Sequence, residues 1–162
     1  MAIKMSLKIG LDFHGVINTN PSYFKDFTEY AVAQGHQIYI VTGGPASAIS
    51  SFLKAWGIKY TEMYTILDHY SALGKVTFFP DGHFKMDENL WDAAKAKYCR
   101  KHNISIMIDD SIVYGRSFTT PYCRYDEVTR SCTLKKGISI SLALKPEECL
   151  RQMEKALIAV AA

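Results

Sequence analysis

The chain has 162 residues, of which 48% are hydrophobic and 22% are charged, and its formal net charge is +3 at pH 7. These values are typical of an ordered globular protein, and they exclude the disordered and fibrous classes. The length predicts one domain, residues 1–162, with a sizeable core. Nucleic-acid binding is not indicated, because the net charge is small and the basic pair Lys135-Lys136 is typical of a turn.

Several features favour a cytoplasmic protein with no membrane partner. Lys4 and Lys8 interrupt the apolar core that a signal peptide needs, and no apolar run approaches about 18 residues. The four cysteines form no Cys-x-x-Cys pair, and no histidine stands at zinc-finger spacing. We therefore expect reduced thiols, with Cys123 and Cys132 as the one pair placed to form a hairpin bridge.

Apolar periodicity and turn residues predict the elements in chain order. The first half has a strand over residues 7–13, a helix from Pro21 to Gly35, a strand in QIYIVTGG, a helix from Pro45 to Gly57 and a candidate strand in YTEMYTIL. The second half has a β-hairpin in KVTFFPDGHFKM, a helix in ENLWDAAKAKYCRKHN, a strand in ISIMIDD, strands or extended loops in TPYCRYDEV and KGISISLAL, and a C-terminal helix in KPEECLRQMEKALIAVA. The hairpin is expected to turn at Asp81-Gly82.

This alternation of strands and helices predicts an α/β fold. We expect a Rossmann-like parallel sheet with helices on both faces, a small hairpin insertion at residues 75–86 and no large cap. In such sheets, ligands bind beyond the carboxyl ends of the strands. Three strands end there in polar residues, namely Asp12, Thr42 and Asp109-Asp110. One such ending is ordinary turn or capping chemistry, but three on one edge favour a site.

The residues at this edge suit a phosphate and a metal ion. Adjacent acids at the end of a buried strand repel each other, and they need a cation or a lysine to stay ionised. Asp12 with Asp110 suits Mg²⁺, which takes carboxylate, phosphate and water oxygens. Thr42-Gly43-Gly44 offers a hydroxyl and backbone N–H groups to an anion. Lys95 precedes the Asp109 strand on a helix whose N-terminal end is expected at the same edge.

Four motifs in the right order resemble those of the haloacid-dehalogenase-like (HAD) superfamily of phosphohydrolases, in its small-cap or capless, nucleotidase-like members. They are GLDFHGVI, IVTGG, Lys95 and IMIDDS, and the resemblance covers most of the chain. It implies that Asp12 is a nucleophile that forms an aspartyl-phosphate. It also implies that Thr42 and Gly43 bind the phosphate and that Lys95 stabilises its charge.

The same resemblance implies a Mg²⁺ cofactor held by Asp12, Asp110, the supporting Asp109 and the backbone carbonyl of His14. The side chain of His14 departs from the family pattern, in which an aspartate at this position moves the proton. Histidine titrates near neutrality, so it suits acid and base roles. Three interpretations stay open: a working acid/base, a slowed hydrolysis that favours phosphotransfer, and a non-catalytic phosphate-binding or interaction protein.

The expected function is therefore magnesium-dependent hydrolysis of a small phosphomonoester, with nucleotides among the candidate substrates. The hairpin residues either contact the substrate or pack on the sheet edge, and they include Phe78, Phe79, His83, Phe84 and Lys85. Tyr114 and Arg116, just after the acidic pair, are further candidates for substrate contact. Lys85 and Lys97 stay alternatives to Lys95 as the lysine of the site.

Overall fold

The computed structural model describes residues 5–162, so the expectation attached to Lys4 lies outside the described part of the chain. The strands of this part are β1 Lys8–Leu11, β2 Gln37–Thr42, β3 Glu62–Thr65, β4 Thr77–Phe78, β5 Phe84–Lys85, β6 Ile106–Asp109, β7 Tyr122–Asp126, β8 Ser131–Thr133 and β9 Ser139–Ser141. The helices are α1 Pro21–Ala33, α2 Ala46–Trp56, α3 Ile66–Ala72, α4 Glu88–Lys101, α5 Ile112–Gly115 and α6 Pro146–Ala161.

Seven of these strands form one mostly parallel sheet, in the order β3-β2-β1-β6-β7-β8-β9. The pairs from β3 to β7 are parallel, and β8 and β9 extend the sheet in antiparallel fashion. The α/β class with a mostly parallel sheet is therefore as predicted. The chain runs outward from β1 to β3 and then returns to β6 on the other side of β1. This reversal beside β1 is where open α/β sheets bind their ligands.

Alternate strand residues separate two cores. Ile38 and Ile40 of β2 face the core that α1, α2 and α6 complete, whereas Tyr39 and Val41 face α4. Because parallel crossovers are right-handed, reversing the direction of travel across the sheet moves the connecting helix to the opposite face. The return from β3 to β6 therefore places α4 on the face opposite α1, with its N-terminal half at the carboxyl edge.

Three elements differ from the sequence expectation. The candidate strand YTEMYTIL ends at Thr65, and Ile66 begins helix α3. An apolar Ile-Leu pair suits a buried strand and a buried helix equally, so periodicity does not separate them. The short strand β8 and the single-turn helix α5 were not predicted. The hairpin is confirmed: β4 pairs antiparallel with β5, and Gly82 adopts a φ of 90° in its turn.

The cysteine expectation is wrong for one pair. Cys123 of β7 and Cys132 of β8 form a disulfide with their Cα atoms 5.2 Å apart. This is the hairpin bridge that the spacing allowed, and it replaces the expected reduced thiols at these positions. Cys99 and Cys149 are free and buried.

Within residues 5–162, none of the helices combines the length and the apolar character that crossing a bilayer requires.

The burial of the core predicts that alanine substitutions at two positions of α1 differ in their effect on stability. Phe27 is fully buried and Val32 is 41% exposed. Replacing Phe27 by Ala should lower the free energy of unfolding by about 3–5 kcal/mol, because it leaves a cavity between α1 and the sheet. The matched change Val32→Ala should cost less than about 1 kcal/mol. Urea unfolding followed by circular dichroism measures both, and equal losses would contradict this assignment of the core.

Candidate functional site

Asp12 follows directly after β1, at the centre of the carboxyl edge. Its backbone N–H donates to the carbonyl of Ile108 at 2.9 Å, which continues the pairing of β1 with β6. The N–H of Phe13 donates to Asp12 Oδ1 at 2.8 Å. These two bonds fix the buried carboxylate at the end of the strand.

Lys95 brings a positive charge to this carboxylate from α4. The helix begins after Asp87, whose side chain accepts from the N–H of Leu90 at 3.0 Å. Lys95 lies about two turns further on, with only 1% of its surface exposed. Its Nζ is 2.7 Å from Asp109 Oδ2 and 3.2 Å from Asp12 Oδ1. One buried ammonium therefore bridges the ends of β1 and β6.

Burial and charge compete over the protonation of these three groups. Burial alone would lower the pKa of Lys95, but the charges of Asp12 and Asp109 raise it above its ordinary value. Burial raises the pKa of Asp109 to about 6, against the attraction of Lys95. Burial likewise raises the pKa of Asp12, and Lys95 opposes the rise. Lys95 therefore stays charged while the carboxylates hold protons more readily than free aspartates do.

Asp110 adds a third carboxylate on the open side of this group. Asp109 uses both oxygens internally, since Oδ1 accepts from the N–H of Ser111 at 3.1 Å and Oδ2 faces Lys95. Asp110 is an exposed residue, but part of its carboxyl group is buried. This burial raises the pKa of Asp110, and so does the neighbouring charge of Asp109. One oxygen from each of Asp12, Asp109 and Asp110 lies within 4.8 Å of the others.

This group of charges fits a divalent cation. Three ionised carboxylates and one ammonium leave two negative charges in excess. Hard cations such as Mg²⁺ take oxygen ligands of this kind. Asp12 and Asp110 are the better placed ligands, because Asp109 is already engaged by Lys95 and by Ser111.

The backbone after Asp12 packs tightly against Asp110. Gly15 adopts a φ of +84°, and a Cβ atom added there would collide with the Asp110 carboxylate. The N–H of Gly15 donates to Asn18 Oδ1 at 2.7 Å, which holds the loop in this conformation. Only glycine satisfies both the positive φ and the close approach. The loop backbone and Asp110 thus form one wall of the site.

Thr42 presents a buried hydroxyl that lacks a regular partner. It is fully buried at the end of β2, close enough to the Asp12 carboxyl to lower the pKa of that group. Within residues 5–162, its Oγ1 makes no hydrogen bond of regular geometry. This hydroxyl is therefore placed to donate a hydrogen bond to an anionic ligand in the cavity.

These residues line one cavity of about 440 Å³. Its roof is aromatic: the Phe84 and Trp91 rings lie 5.4 Å apart between centroids. Trp91 Nε1 donates to the hydroxyl of Tyr114 at 2.6 Å, and the Tyr114 ring lies 4.2 Å from Lys95 Nζ. The roof is therefore connected to the buried charges through Tyr114.

Most of the predicted site residues meet in this cavity. Those that line it are Asp12, His14, Thr42, Gly43, Lys95 and Asp110, together with Phe84 and Tyr114 from the candidates for substrate contact. Asp109 lies beneath them through its bond to Lys95. The remaining candidates do not line it, namely Phe78, Phe79, His83, Lys85 and Arg116. Lys97 lines a different cavity, so the geometry favours Lys95 as the lysine of the site.

Sequence reasoning missed Trp91, Gly15 and Asn18. Trp91 falls on the apolar pattern of a helix, so nothing distinguishes it from a core residue. Gly15 is quoted in the first motif, but its close approach to Asp110 depends on the pairing of β1 with β6. The Gly15–Asn18 spacing is a local turn signal that was available.

Mg²⁺ should stabilise the protein more at about pH 7.5 than at about pH 5, because protons compete with the metal for carboxylates of raised pKa. The pKa of each of the ligands Asp12 and Asp110 is raised, and that of the adjoining Asp109 is about 6, so all three carboxylates hold protons more readily at the lower pH. The measurement is the rise in melting temperature on adding MgCl₂ at each pH. Asp110→Asn should abolish the rise, whereas Asp26→Asn, an exposed aspartate of α1, should leave it intact. An equal rise in the two variants would show that the metal does not bind at the acidic site, defined here as the cavity around Asp12, Asp109 and Asp110.

Alanine substitutions at two glycines test whether the loop after Asp12 holds the Asp110 carboxylate in position. Gly15 and Gly35 have similar positive φ values, +84° and +89°, but a Cβ at Gly35 meets nothing within 4 Å. Replacing either glycine by alanine should lower the free energy of unfolding by about 1 kcal/mol, because the positive φ strains an alanine backbone. Only Gly15→Ala should also remove the Mg²⁺-induced rise in melting temperature, because it displaces Asp110. Loss of that rise in Gly35→Ala as well would show that strain alone is responsible.

The chain matches no protein-family model, and no curated protein matches it either. The residues of the site are therefore the basis of its proposed function. The strongest of these are the buried ammonium shared by two carboxylates, the third carboxylate on the open side and the unpartnered threonine hydroxyl.

Proposed function

We propose that the protein is a magnesium-dependent phosphomonoester hydrolase that acts through an aspartyl-phosphate on Asp12. The observation that carries the proposal is the meeting of Asp12, Lys95, Asp110 and the unpartnered hydroxyl of Thr42 around one cavity. A nucleophile, an anion-binding hydroxyl, a buried cation and an oxygen-rich metal site are the parts that phosphoryl transfer needs. The order of the HAD-like motifs supports the same conclusion.

Asp12 is suited to nucleophilic attack by the way it is held. Its Oδ1 accepts from the N–H of Phe13 and faces Lys95, so Oδ2 is the proposed attacking oxygen. In the first step the Oδ2–P bond forms and the bond from phosphorus to the ester oxygen breaks. In the second step water attacks the phosphorus, the Oδ2–P bond breaks, and inorganic phosphate leaves.

Thr42, Gly43 and Lys95 would hold the phosphoryl oxygens. The Thr42 hydroxyl would gain an acceptor of regular geometry, and Lys95 adds a positive charge that is buried away from water. Mg²⁺, held by Asp12, Asp110 and the backbone carbonyl of His14, with Asp109 in support, would neutralise part of the phosphate charge. Catalysis would then depend mainly on positioning and charge.

His14 is the proposed carrier of the proton. It lines the cavity and is exposed, with its ring edge-on to Phe13 at 4.9 Å between centroids. It would donate a proton to the departing ester oxygen and later accept one from the attacking water. The cavity of about 440 Å³ suits a small phosphomonoester, with nucleotides among the candidates.

A second candidate function is phosphate binding with little or no turnover, or phosphotransfer from a long-lived phosphoenzyme. One observation favours it: within the described part of the chain, the imidazole of His14 makes no hydrogen bond that would fix its tautomer and orientation. Acid/base histidines are usually oriented by a third group.

The test is phosphate release from nucleotides, sugar phosphates and an aryl phosphate, with and without Mg²⁺. Wild type should release phosphate only with Mg²⁺, and Asp12→Asn should lower kcat by about a thousandfold or more because the nucleophile is lost. His14→Ala should lower kcat by about 10²- to 10⁴-fold. Asp26→Asn serves as the control and should retain activity.

His14→Asp separates the two candidates. Activity in wild type that depends on Asp12 supports the hydrolase. A silent wild type with an active His14→Asp variant would assign phosphate binding or phosphotransfer to the natural chain. Silence from both, in variants that melt within a few degrees of wild type, would reject the hydrolase.

A further inference from the structure

A second cavity lies outside the acidic site. It has a volume of about 570 Å³ and lies between α3 and α4, against the edge strand β3. A cluster of Ile66, Tyr70 and Ala94, with Leu90 and Trp91 packed on it, contributes Tyr70 and Ala94 to this cavity and Trp91 to the other. Ala94 lines the second cavity while its neighbour Lys95 lines the first, so α4 contributes a different face to each. The volume is in the range of small-molecule sites.

The wall of this cavity is a set of aromatic rings already in contact. Tyr64 and Tyr98 are stacked with centroids 4.3 Å apart and an angle of 19° between their planes. The His102 ring lies 4.1 Å from the Tyr98 ring between centroids, at an angle of 30°. His69 Nδ1 is 2.7 Å from the hydroxyl of Tyr64. Because each ring is held by a neighbour, a planar ligand would bind to a preformed surface.

The charges around the cavity favour a negative group on that ligand. Lys97 and Lys101 line it one helical turn apart, and both are exposed. In the described part of the chain, neither lysine forms an ion pair. The nearby carboxylates already have donors: Asp68 accepts from the hydroxyl of Thr65 and the N–H of Ala46, and Glu62 accepts from Tyr98. Among the charged residues that line the cavity, the two lysines outnumber the one carboxylate, Asp68, so the balance of charge on the lining is positive.

We propose that this cavity binds a small planar aromatic molecule that carries a negative group. The ring packs against the wall formed by Tyr64 and Tyr98, and the negative group lies between Lys97 and Lys101. This site is separate from the acidic one, and its existence does not depend on phosphatase activity.

The experiment uses two probes of one shape, naphthalene-2-sulfonate and the neutral naphthalene-2-sulfonamide. Each is titrated into the ¹⁵N-labelled full chain, and amide shifts report both the location and the dissociation constant. The sulfonate should bind with a dissociation constant of about 1 mM or below, as for a ligand of this size. The affected amides should be those of residues 64, 69, 98 and 102.

Two double variants then test the charge. Lys97→Gln with Lys101→Gln should weaken sulfonate binding about five- to tenfold and leave the sulfonamide unchanged, because only the sulfonate uses the lysines. The matched pair Lys54→Gln with Lys155→Gln, at exposed lysines of α2 and α6, should change neither probe by more than about twofold. Both variants keep the aromatic wall, so neither should disturb the fold.

Three results would overturn the proposal. The first is the absence of any shift with about 10 mM sulfonate, well above the affinity expected for a site of this size. The second is a set of shifts centred on Phe84 and Trp91, which would place the probe in the acidic site. The third is an equal loss of sulfonate binding in the two double variants, which would show that Lys97 and Lys101 have no special part.

Discussion

The buried ammonium of Lys95 is the constraint on which the rest of the site depends. A lysine with 1% exposure is tolerated only when charges of opposite sign replace its hydration, and Asp12 and Asp109 supply them. This pairing requires β1 and β6 to be neighbours and α4 to cross the opposite face from α1. The strand order and the position of α4 meet both requirements. The burial of Lys95 therefore depends on the strand order, and the charges at the ends of β1 and β6 depend on Lys95 for compensation.

An ion group of this kind does not by itself indicate a catalyst, since buried charges also occur as structural features. Two additional features distinguish this one. Asp110 adds negative charge on the open side and, within residues 5–162, forms no ion pair there. Gly15 has no side chain, which allows that carboxylate to approach the loop backbone. Thr42 leaves a buried hydroxyl without a regular acceptor beside the same carboxylates. Both features support the proposed binding of a cation and an oxyanion at this site.

Sequence reasoning reached the strand ends because the signal there is local: an apolar run followed by a polar residue places Asp12, Thr42 and Asp109-Asp110 on one edge of a parallel sheet. The direction of its helix placed Lys95 at the same edge, and the family resemblance favoured it over the solvated lysines of that helix. Helix α3 was missed because Ile66-Leu67 continues an apolar run without a turn signal. The second cavity was not predicted because its lining comes from β3, α3 and α4, and no local sequence signal shows that these elements pack together. Trp91 was indistinguishable from a core residue until the hairpin was in place.

The hairpin and the floor of the acidic site differ in how firmly the structure holds them. Strands β4 and β5 have two residues each, all exposed, whereas Ile9, Leu11, Ile106 and Ile108 beneath the carboxylates are fully buried. Local opening of the backbone requires the least free energy where few apolar contacts and few hydrogen bonds between strands must break. The roof residue Phe84 therefore belongs to the least protected part of the cavity, and the amides around Asp12 belong to the most protected. In hydrogen exchange, the backbone amides around Asp12 would exchange slowly and those around Phe84 would exchange rapidly, although both groups border the same cavity.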